Sequence, residues 1–282
     1  MADLTPANDD GPIEKVSGVK RRRVRNILLK ISLALTIIGP LIFIVAALGA
    51  KLGLWSWQFG LGTLTRQVGP LVLMIGAVVA LFTLLASIIV KPRKGIVIAV
   101  IGLLVPALAF GKLMQTTAKV AKLPFIHDVT TDTQNPPVFG NFITKEREVE
   151  NANSAEYIGK KAPVTAADGT KSEKLDSALQ TKAYPAIRPL ILNEPKDVVF
   201  GEALATVKAM GWKIKEEDLE TGRIDATDTT FWYGFKDDVT IRLRDSEGGG
   251  TIVDVRSLSR VGGSDLGKNA ERVGEFLERL AQ

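Results

Sequence analysis

The chain has 282 residues, a formal net charge of +5, one histidine and no cysteine. The absence of cysteine excludes disulfides, thiolate metal sites and cysteine nucleophiles, and a single histidine excludes a site with several histidine ligands in one chain. The charge is uneven: residues 1–26 carry a net +2, residues 27–114 a net +7 and residues 115–282 a net −4. Because the C-terminal part is acidic, it lacks the basic surface that nucleic acid binding needs, and we expect no nucleic acid partner.

Three apolar runs stand in the N-terminal part of the chain, at residues 27–50, 69–90 and 95–113. A helix needs about 20 residues to cross the hydrocarbon core. We therefore predict a disordered cytoplasmic tail over residues 1–26 and an anchor of three transmembrane α-helices over residues 27–114. No acidic residue lies in the three runs, which favours an anchor over a transporter or pump, where intramembrane charge is usual.

Basic residues predict the orientation of this anchor. Nine Lys or Arg lie in residues 1–26 and 91–94, whereas residues 51–68 hold two. The excess of basic residues on cytoplasmic loops predicts a multi-pass protein of the bacterial inner (plasma) membrane, with a cytoplasmic N-terminus and a periplasmic C-terminal domain. A twin-arginine export signal is an alternative for the first run, but its length and the two runs that follow favour an uncleaved anchor.

Two tryptophans follow the first run. Trp55 and Trp57 match the aromatic residues that lie at membrane interfaces, so we treat them as membrane-interface candidates. Packing between helices and contact with a substrate are the alternatives.

The C-terminal part is predicted to be an α+β domain. Prolines interrupt residues 115–195, which we interpret as an extended segment wrapping the domain, with a long loop and at most one short helix over residues 145–183. Residues 196–282 show a helical pattern, four strand patterns and a second helix over residues 265–281, with Ser264 as its predicted cap. We predict a two-layer α/β sandwich with a four-stranded antiparallel sheet and two packing helices.

Three groups of residues are candidates for function. His127, Asp128 and Asp132 could form a metal site or a His–Asp pair, with turn capping as the alternative. A second group could bind an anionic head group, or form salt bridges on a solvated sheet face; its members are Asp237, Asp238, Arg256, Arg260 and Asp265. Trp232, in the aromatic run 231–235, could insert into lipid, line a groove or pack in the core.

Four segments resemble a bacterial family known only as domain of unknown function 1499. They are FIHDVTTDTQNPP (125–137), AYPAIRPL (183–190), FWYGFKDDVTIRLR (231–244) and VDVRSLSRVGGSDLGKNAERV (253–273). The resemblance covers about residues 115–282, and the three-helix anchor is similar to that of some members. This chain lacks the cysteine that many relatives have near the start of the domain. The family implies no activity.

We therefore expect a membrane-anchored envelope protein whose periplasmic domain binds a protein or lipid partner. Its partners would be the lipid bilayer and either other membrane proteins, with this chain as an accessory subunit, or a lipid head group. The alternative is a periplasmic enzyme of unknown reaction that uses His127, Asp128 and Asp132. No cofactor is expected, and no motif indicates which metal, if any, would bind.

Overall fold

The structure is a computed structural model that describes residues 12–166 and 168–282. The chain divides into two compact units, Met1–Thr117 and Ala118–Gln282. Among the described residues, the first unit is helical and the second contains the strands, which agrees with the predicted order of three apolar helices followed by an α+β domain. The helices and strands of each unit are given below in chain order.

The first unit holds three helices that are long and apolar enough to cross a membrane. Its elements are α1 (Pro12–Lys51), a π-helical segment (Gln58–Val68), α2 (Gly69–Ile89) and the greater part of α3 (Ile96–Val120). A tail was predicted over residues 1–26, yet residues 12–26 belong to α1, because proline suits a first helical turn and no further proline follows before Pro40. Residues 1–11 of that tail lie outside the described residues.

Small residues let the helices of this unit approach one another. A Cβ added at Gly102 of α3 would lie 2.9 Å from the Cβ of Ala80 in α2 and 2.9 Å from Oγ of Ser32 in α1. Gly76 is buried against Leu35. The outward sides of the three helices carry exposed Leu, Ile, Val and Phe, as expected for surfaces that face lipid.

The second unit contains eight strands and four further helices among the described residues. The strands are β1 (Asp128–Thr130), β2 (Lys161–Thr165), β3 (Lys171–Leu175), β4 (Leu190–Leu192), β5 (Lys213–Asp218), β6 (Arg223–Thr229), β7 (Lys236–Asp245) and β8 (Thr251–Ser259). The helices are α4 (Asn141–Val149), α5 (Asp176–Ala183), α6 (Lys196–Ala209) and α7 (Lys268–Leu280).

The main sheet has six strands, so the predicted count of four was wrong. Strands β5 to β8 form the antiparallel meander that the sequence pattern predicts, and β8 also pairs with both β1 and β4, in the order β1-β8-β7-β6-β5 with β4 beside β8. The two additional strands have three residues each. Both lie in residues 115–195, where the many prolines led us to predict an extended segment without strands. Residues 145–183 likewise form the end of α4, the β2–β3 hairpin and α5 instead of a long loop.

One face of this sheet packs on α6 and α7, as predicted for a two-layer sandwich. Val199 and Phe200 of α6 and Val273 and Phe276 of α7 lie in the core, where Trp212 stacks on Phe276 with ring centroids 5.7 Å apart. The sheet contributes alternating residues to the same core: Ile224, Ala226, Val239, Ile241, Leu243, Val253 and Val255.

The opposite face is polar but is not open to solvent. Residues 131–155, including α4, lie across it, and Phe139 and Ile143 from this segment pack on Leu258 of β8. The charged residues Asp238 and Arg256 on this face are 0% and 3% exposed. The sheet face expected to be solvated is therefore buried, because residues 131–155 of the predicted wrapping segment, here named the covering segment, lie on it.

Candidate functional site

Asp128 and Arg256 form a doubly hydrogen-bonded ion pair on the covered face. Arg256 Nε donates to Asp128 Oδ1 over 3.0 Å, and Arg256 Nη2 donates to Oδ2 over 2.8 Å. Arg256 Nη2 and Nη1 also donate to the carbonyl oxygens of Ala155 and Pro137. Both oxygens of Asp128 thus accept from a guanidinium, which in turn fastens the covering segment to the sheet.

Asp238 is the centre of a second buried ion cluster. Its carboxylate accepts hydrogen bonds from Arg147 of α4 (2.7 Å), from Arg260 (2.7 Å) and from the hydroxyl of Thr227 (2.8 Å). Burial acts to lower the pKa of Arg260, but hydrogen bonds to Asp238 and to glutamates of the covering segment raise it above the usual range. Arg260 is therefore a permanent cation, and the two arginines of this cluster, Arg147 and Arg260, are both paired with the buried Asp238.

The remaining two members of the second candidate group lie elsewhere. Asp237 points to the helical face and pairs with Arg272 of α7 at 2.7 Å. Asp265 accepts hydrogen bonds from the backbone amides of Gly267 and Asn269, so it caps α7 in place of the predicted Ser264. Burial raises the pKa of Asp265. The five residues grouped from sequence thus belong to four separate contacts on two faces.

Asp132 lies in the turn after β1 and contacts other residues than Asp128 does. Its Oδ1 accepts from the amides of Gln134 and Asn135, and its Oδ2 lies 3.4 Å from Nη2 of Arg242. The amide contacts form the turn that brings the covering segment over the sheet. The described residues contain no group of three or more His, Cys, Asp or Glu that could hold a metal ion.

His127 instead contacts Lys160, which was not among the candidates predicted from the sequence. Nζ of Lys160 lies 2.9 Å from Nε2 of His127 and 3.8 Å from Oδ2 of Asp128, while Nδ1 of His127 lies 3.2 Å from the carbonyl oxygen of Gly263. Burial lowers the pKa of His127, and the charge of Lys160 lowers it further. Burial also lowers the pKa of Lys160. A neutral imidazole accepting from an ammonium satisfies this geometry.

Asp176 and Tyr157 complete the surroundings of this pair. Asp176, the first residue of α5, is 2% exposed, and its Oδ1 has no hydrogen-bond partner. Burial raises the pKa of Asp176 and that of Tyr157, whose hydroxyl donates to Oε1 of Gln180. Because Lys160 lies 32 residues after Asp128, no local spacing could have linked it to the His–Asp pair.

The aromatic run lies at an end of the sheet, in the turn between β6 and β7. Phe231 is 69% and Trp232 is 51% exposed, and their rings meet edge to face with centroids 5.2 Å apart. Tyr233 and Phe235 stack with each other at 5.3 Å. Phe231 and Trp232 thus lie on the surface, whereas an alternating strand would have buried one side of the run.

The two membrane-interface candidates of the first unit lie between α1 and the π-helical segment. The indole of Trp55 donates to the carbonyl oxygen of Ala46 over 3.2 Å and packs on Gly49. Trp57 immediately precedes the π-helical segment and is half-buried. The indole contact of Trp55 shows that at least this tryptophan packs back on α1.

Comparison with known proteins identifies the second unit only at the level of a family. No curated protein matches the chain. A family model described as "Protein of unknown function (DUF1499)" matches residues 128–280. These residues run from the first strand to the end of α7 and include both buried ion clusters. The chain therefore belongs to the DUF1499 family.

Proposed function

We propose that this is a membrane-anchored binding protein whose C-terminal domain docks on the bilayer surface through the aromatic turn 230–235. In this proposal the three apolar helices lie in the bacterial inner membrane, with the N-terminus in the cytoplasm and the domain in the periplasm. The surplus of Lys and Arg in residues 1–26 and 91–94 supports that orientation. The bound partner is lipid.

One observation carries the proposal: the exposed aromatics and the start of β1 lie at the same end of the sheet. Strand β6 ends and β7 begins at the turn, and Asp237 at the start of β7 pairs with Ser259 at the end of β8. The amide of Ser259 donates to the carbonyl oxygen of His127, directly before β1. The chain therefore enters the sheet at the end that carries Trp232.

The connection between α3 and β1 is short. Helix α3 ends at Val120 and β1 begins at Asp128. Eight residue steps span at most about 29 Å when fully extended. A domain tethered in this way can bring its aromatic turn to the interface without a long linker.

Further apolar side chains lie at the same end of the sheet. Phe125, which precedes β1, is 52% exposed and packs on Gly263, and Leu266 in the following loop is 46% exposed. Aromatic rings with a polar edge favour the region between water and hydrocarbon. Because the region 115–282 has a net charge of −4, we infer that docking depends on apolar contact and is not driven by anionic lipid.

The buried ion clusters support binding over catalysis. Asp128 and Asp238 are fully buried, and each accepts hydrogen bonds from an arginine. Carboxylates saturated in this way hold the covering segment in place and are not available as general bases. The exposed aromatic turn is, in contrast, accessible without any rearrangement.

Fluorescence quenching by brominated phosphatidylcholine tests the proposal on the full chain in liposomes. The chain has four tryptophans, so the contribution of Trp232 is the difference between wild type and Trp232→Phe. We expect this difference signal to be quenched. The matched control is Trp212→Phe, since Trp212 is buried in the core; its difference signal should not respond to the brominated lipid.

An unquenched Trp232 signal would contradict lipid docking. A protein that co-purifies stoichiometrically and is lost in Trp232→Ser would contradict it as well, and would identify the turn as a protein-binding surface of an accessory subunit.

An enzyme is the second candidate, and the Lys160–His127 contact is what favours it. A lysine of lowered pKa beside an imidazole and the unpartnered Oδ1 of Asp176 is a combination found at reactive sites. Turnover in a hydrolase or oxidoreductase screen that Lys160→Met abolishes and Lys161→Met retains would support it. Activity that persists in Lys160→Met would exclude this site.

A further inference from the structure

We propose a separate lipid site in the first unit: one anionic phospholipid binds in the groove between the N-terminal part of α1 and the C-terminal end of α2. Its phosphate contacts Lys20 and Arg21, and an acyl chain lies along Val24, Ala86 and Val90. This site is independent of the docking proposed for the second unit.

The groove has an apolar floor and a basic rim. Its volume is about 370 Å³, and its walls are formed by Lys20, Arg21, Val24, Ala86 and Val90. Lys20 and Val24 are four residues apart on α1, so they follow one another on the same side of the helix. The rim lies just before residue 27, where the first apolar run begins, which is the level of lipid head groups.

Neighbouring arginines hold the two walls together. Arg25 Nη1 donates to the carbonyl oxygens of Val90 and Pro92, at 3.3 and 2.5 Å, and Arg22 Nε donates to that of Lys91 at 2.9 Å. Arg25 is 4% exposed. These bonds fasten α1 to the chain that directly follows α2. The two walls of the groove are therefore held together by hydrogen bonds.

Lys20 and Arg21 do not take part in this structural role. Both are exposed, and neither side chain forms a hydrogen bond or an ion pair with residues 18–166 or 168–282. No Asp or Glu occurs anywhere in residues 15–127. Lys20 and Arg21 therefore have no carboxylate within five residues of them in the sequence, and their charge is complementary to a phosphodiester.

A lipid fits this surface better than a free anion because the floor is apolar. Phosphate alone would use only the rim, whereas an anionic phospholipid also covers Val24, which is 51% exposed. Basic residues next to a membrane helix contribute about 1 kcal/mol each to contact with anionic lipid. Two such residues account for a preference of about 30-fold over a zwitterionic lipid.

The test uses the full chain in mild detergent with defined phosphatidylglycerol and phosphatidylcholine, and native mass spectrometry as the readout. We expect wild type to retain one phosphatidylglycerol in preference to phosphatidylcholine. Lys20→Gln with Arg21→Gln should weaken that retention by about 30-fold. The matched control is Lys51→Gln with Arg66→Gln, which removes two charges from the segment between the first two apolar runs and should leave retention unchanged.

A second variant tests the apolar floor without changing charge. Ala86→Leu fills the groove and should also lower phosphatidylglycerol retention. Equal loss in both charge variants, or no loss in Lys20→Gln with Arg21→Gln, would overturn the site. Inorganic phosphate that displaces the lipid at equal concentration would overturn it too, because it would indicate a free-anion site. Trp232→Phe should leave this retention unchanged.

Discussion

Arg256 of β8 pairs with Asp128 of β1 and also donates to the carbonyl oxygens of Pro137 and Ala155 in the covering segment. Arg256 and Asp128 share two hydrogen bonds of 2.8 and 3.0 Å and are 3% and 0% exposed. The guanidinium also lies over the rings of Phe139 and Tyr157, 5.1 and 5.5 Å from their centroids. Charge pairing, hydrogen bonding and ring contacts thus meet at one arginine.

Removal of one partner from this pair should destabilise the domain strongly. Asp128→Ala leaves a buried guanidinium without its carboxylate, and we expect a loss of about 3–5 kcal/mol in the free energy of unfolding. Chemical denaturation followed by near-ultraviolet circular dichroism measures it.

The control is Glu275→Ala, which breaks the exposed pair with Arg279 on α7. That change should cost at most about 0.5 kcal/mol. The double variant Asp128→Leu with Arg256→Met should be more stable than Asp128→Ala, since it leaves no uncompensated charge. An Asp128→Ala protein as stable as Glu275→Ala would contradict the role assigned to the pair.

The single histidine allows a direct measurement of the electrostatics around Lys160. Burial and the charge of Lys160 lower the pKa of His127 below 6.5, and nuclear magnetic resonance titration of the one imidazole should show this. In Lys160→Met the pKa should rise, because the positive charge beside the imidazole is removed. The neighbouring Lys161 is exposed, so Lys161→Met should leave the pKa of His127 at its wild-type value.

The same shift has a consequence for stability. Between the lowered pKa and 6.5 the unfolded chain binds more protons at His127 than the folded chain does. The free energy of unfolding is therefore higher above pH 6.5, and this stability is lost as the pH falls through the pKa of the folded state. The variant His127→Gln should lack this part of the pH dependence of stability. A wild-type imidazole that titrates above 6.5 would contradict the described contacts.

Asp176 should oppose folding at neutral pH. Burial raises its pKa above the ordinary 3.8, so the folded state holds the proton more tightly and stability falls as the pH rises through the window above 3.8. Asp176→Asn should therefore stabilise the domain at pH 7, and the gain should vanish below pH 3.8. Asp245→Asn, at an exposed carboxyl, serves as the control. A destabilised Asp176→Asn protein would contradict the prediction.

The proposed orientation can be tested because the chain has no cysteine. A single cysteine at Leu219, which is 46% exposed in the second unit, should react with a membrane-impermeant maleimide in intact spheroplasts. One at Arg23, which is exposed before the first apolar run, should react only after permeabilisation. The opposite pattern of labelling would reverse the orientation.

The sequence was sufficient for elements with regular and long patterns. The three apolar helices, the meander β5 to β8 and the helices α6 and α7 were all predictable, because period and length distinguish them. β1 and β4 were not, since three residues carry no period and their pairing with β8 depends on residues 59 to 130 positions away. For the same reason the sequence predicted a segment wrapping the domain, but not that this segment buries the charged face of the sheet.

The candidate site was predictable only in part. His127 and Asp128 are neighbours in sequence and in space, but their partners Lys160 and Arg256 come from elements 33 and 128 residues away. The grouping of Asp237 with Asp238 ignored the alternation of a strand, which sends adjacent side chains to opposite faces. Charge spacing along the chain cannot show which carboxylate an arginine will reach.

Lipid docking is tested most directly by the depth of a spin label at residue 232. The cysteine-free chain permits a single label at Trp232→Cys, with Leu219→Cys at the opposite end of the sheet as the matched control. Electron paramagnetic resonance in liposomes should show the label at 232 shielded from a water-soluble nickel relaxant and accessible to oxygen, with the label at 219 in water. Equal nickel accessibility at both positions would contradict the account.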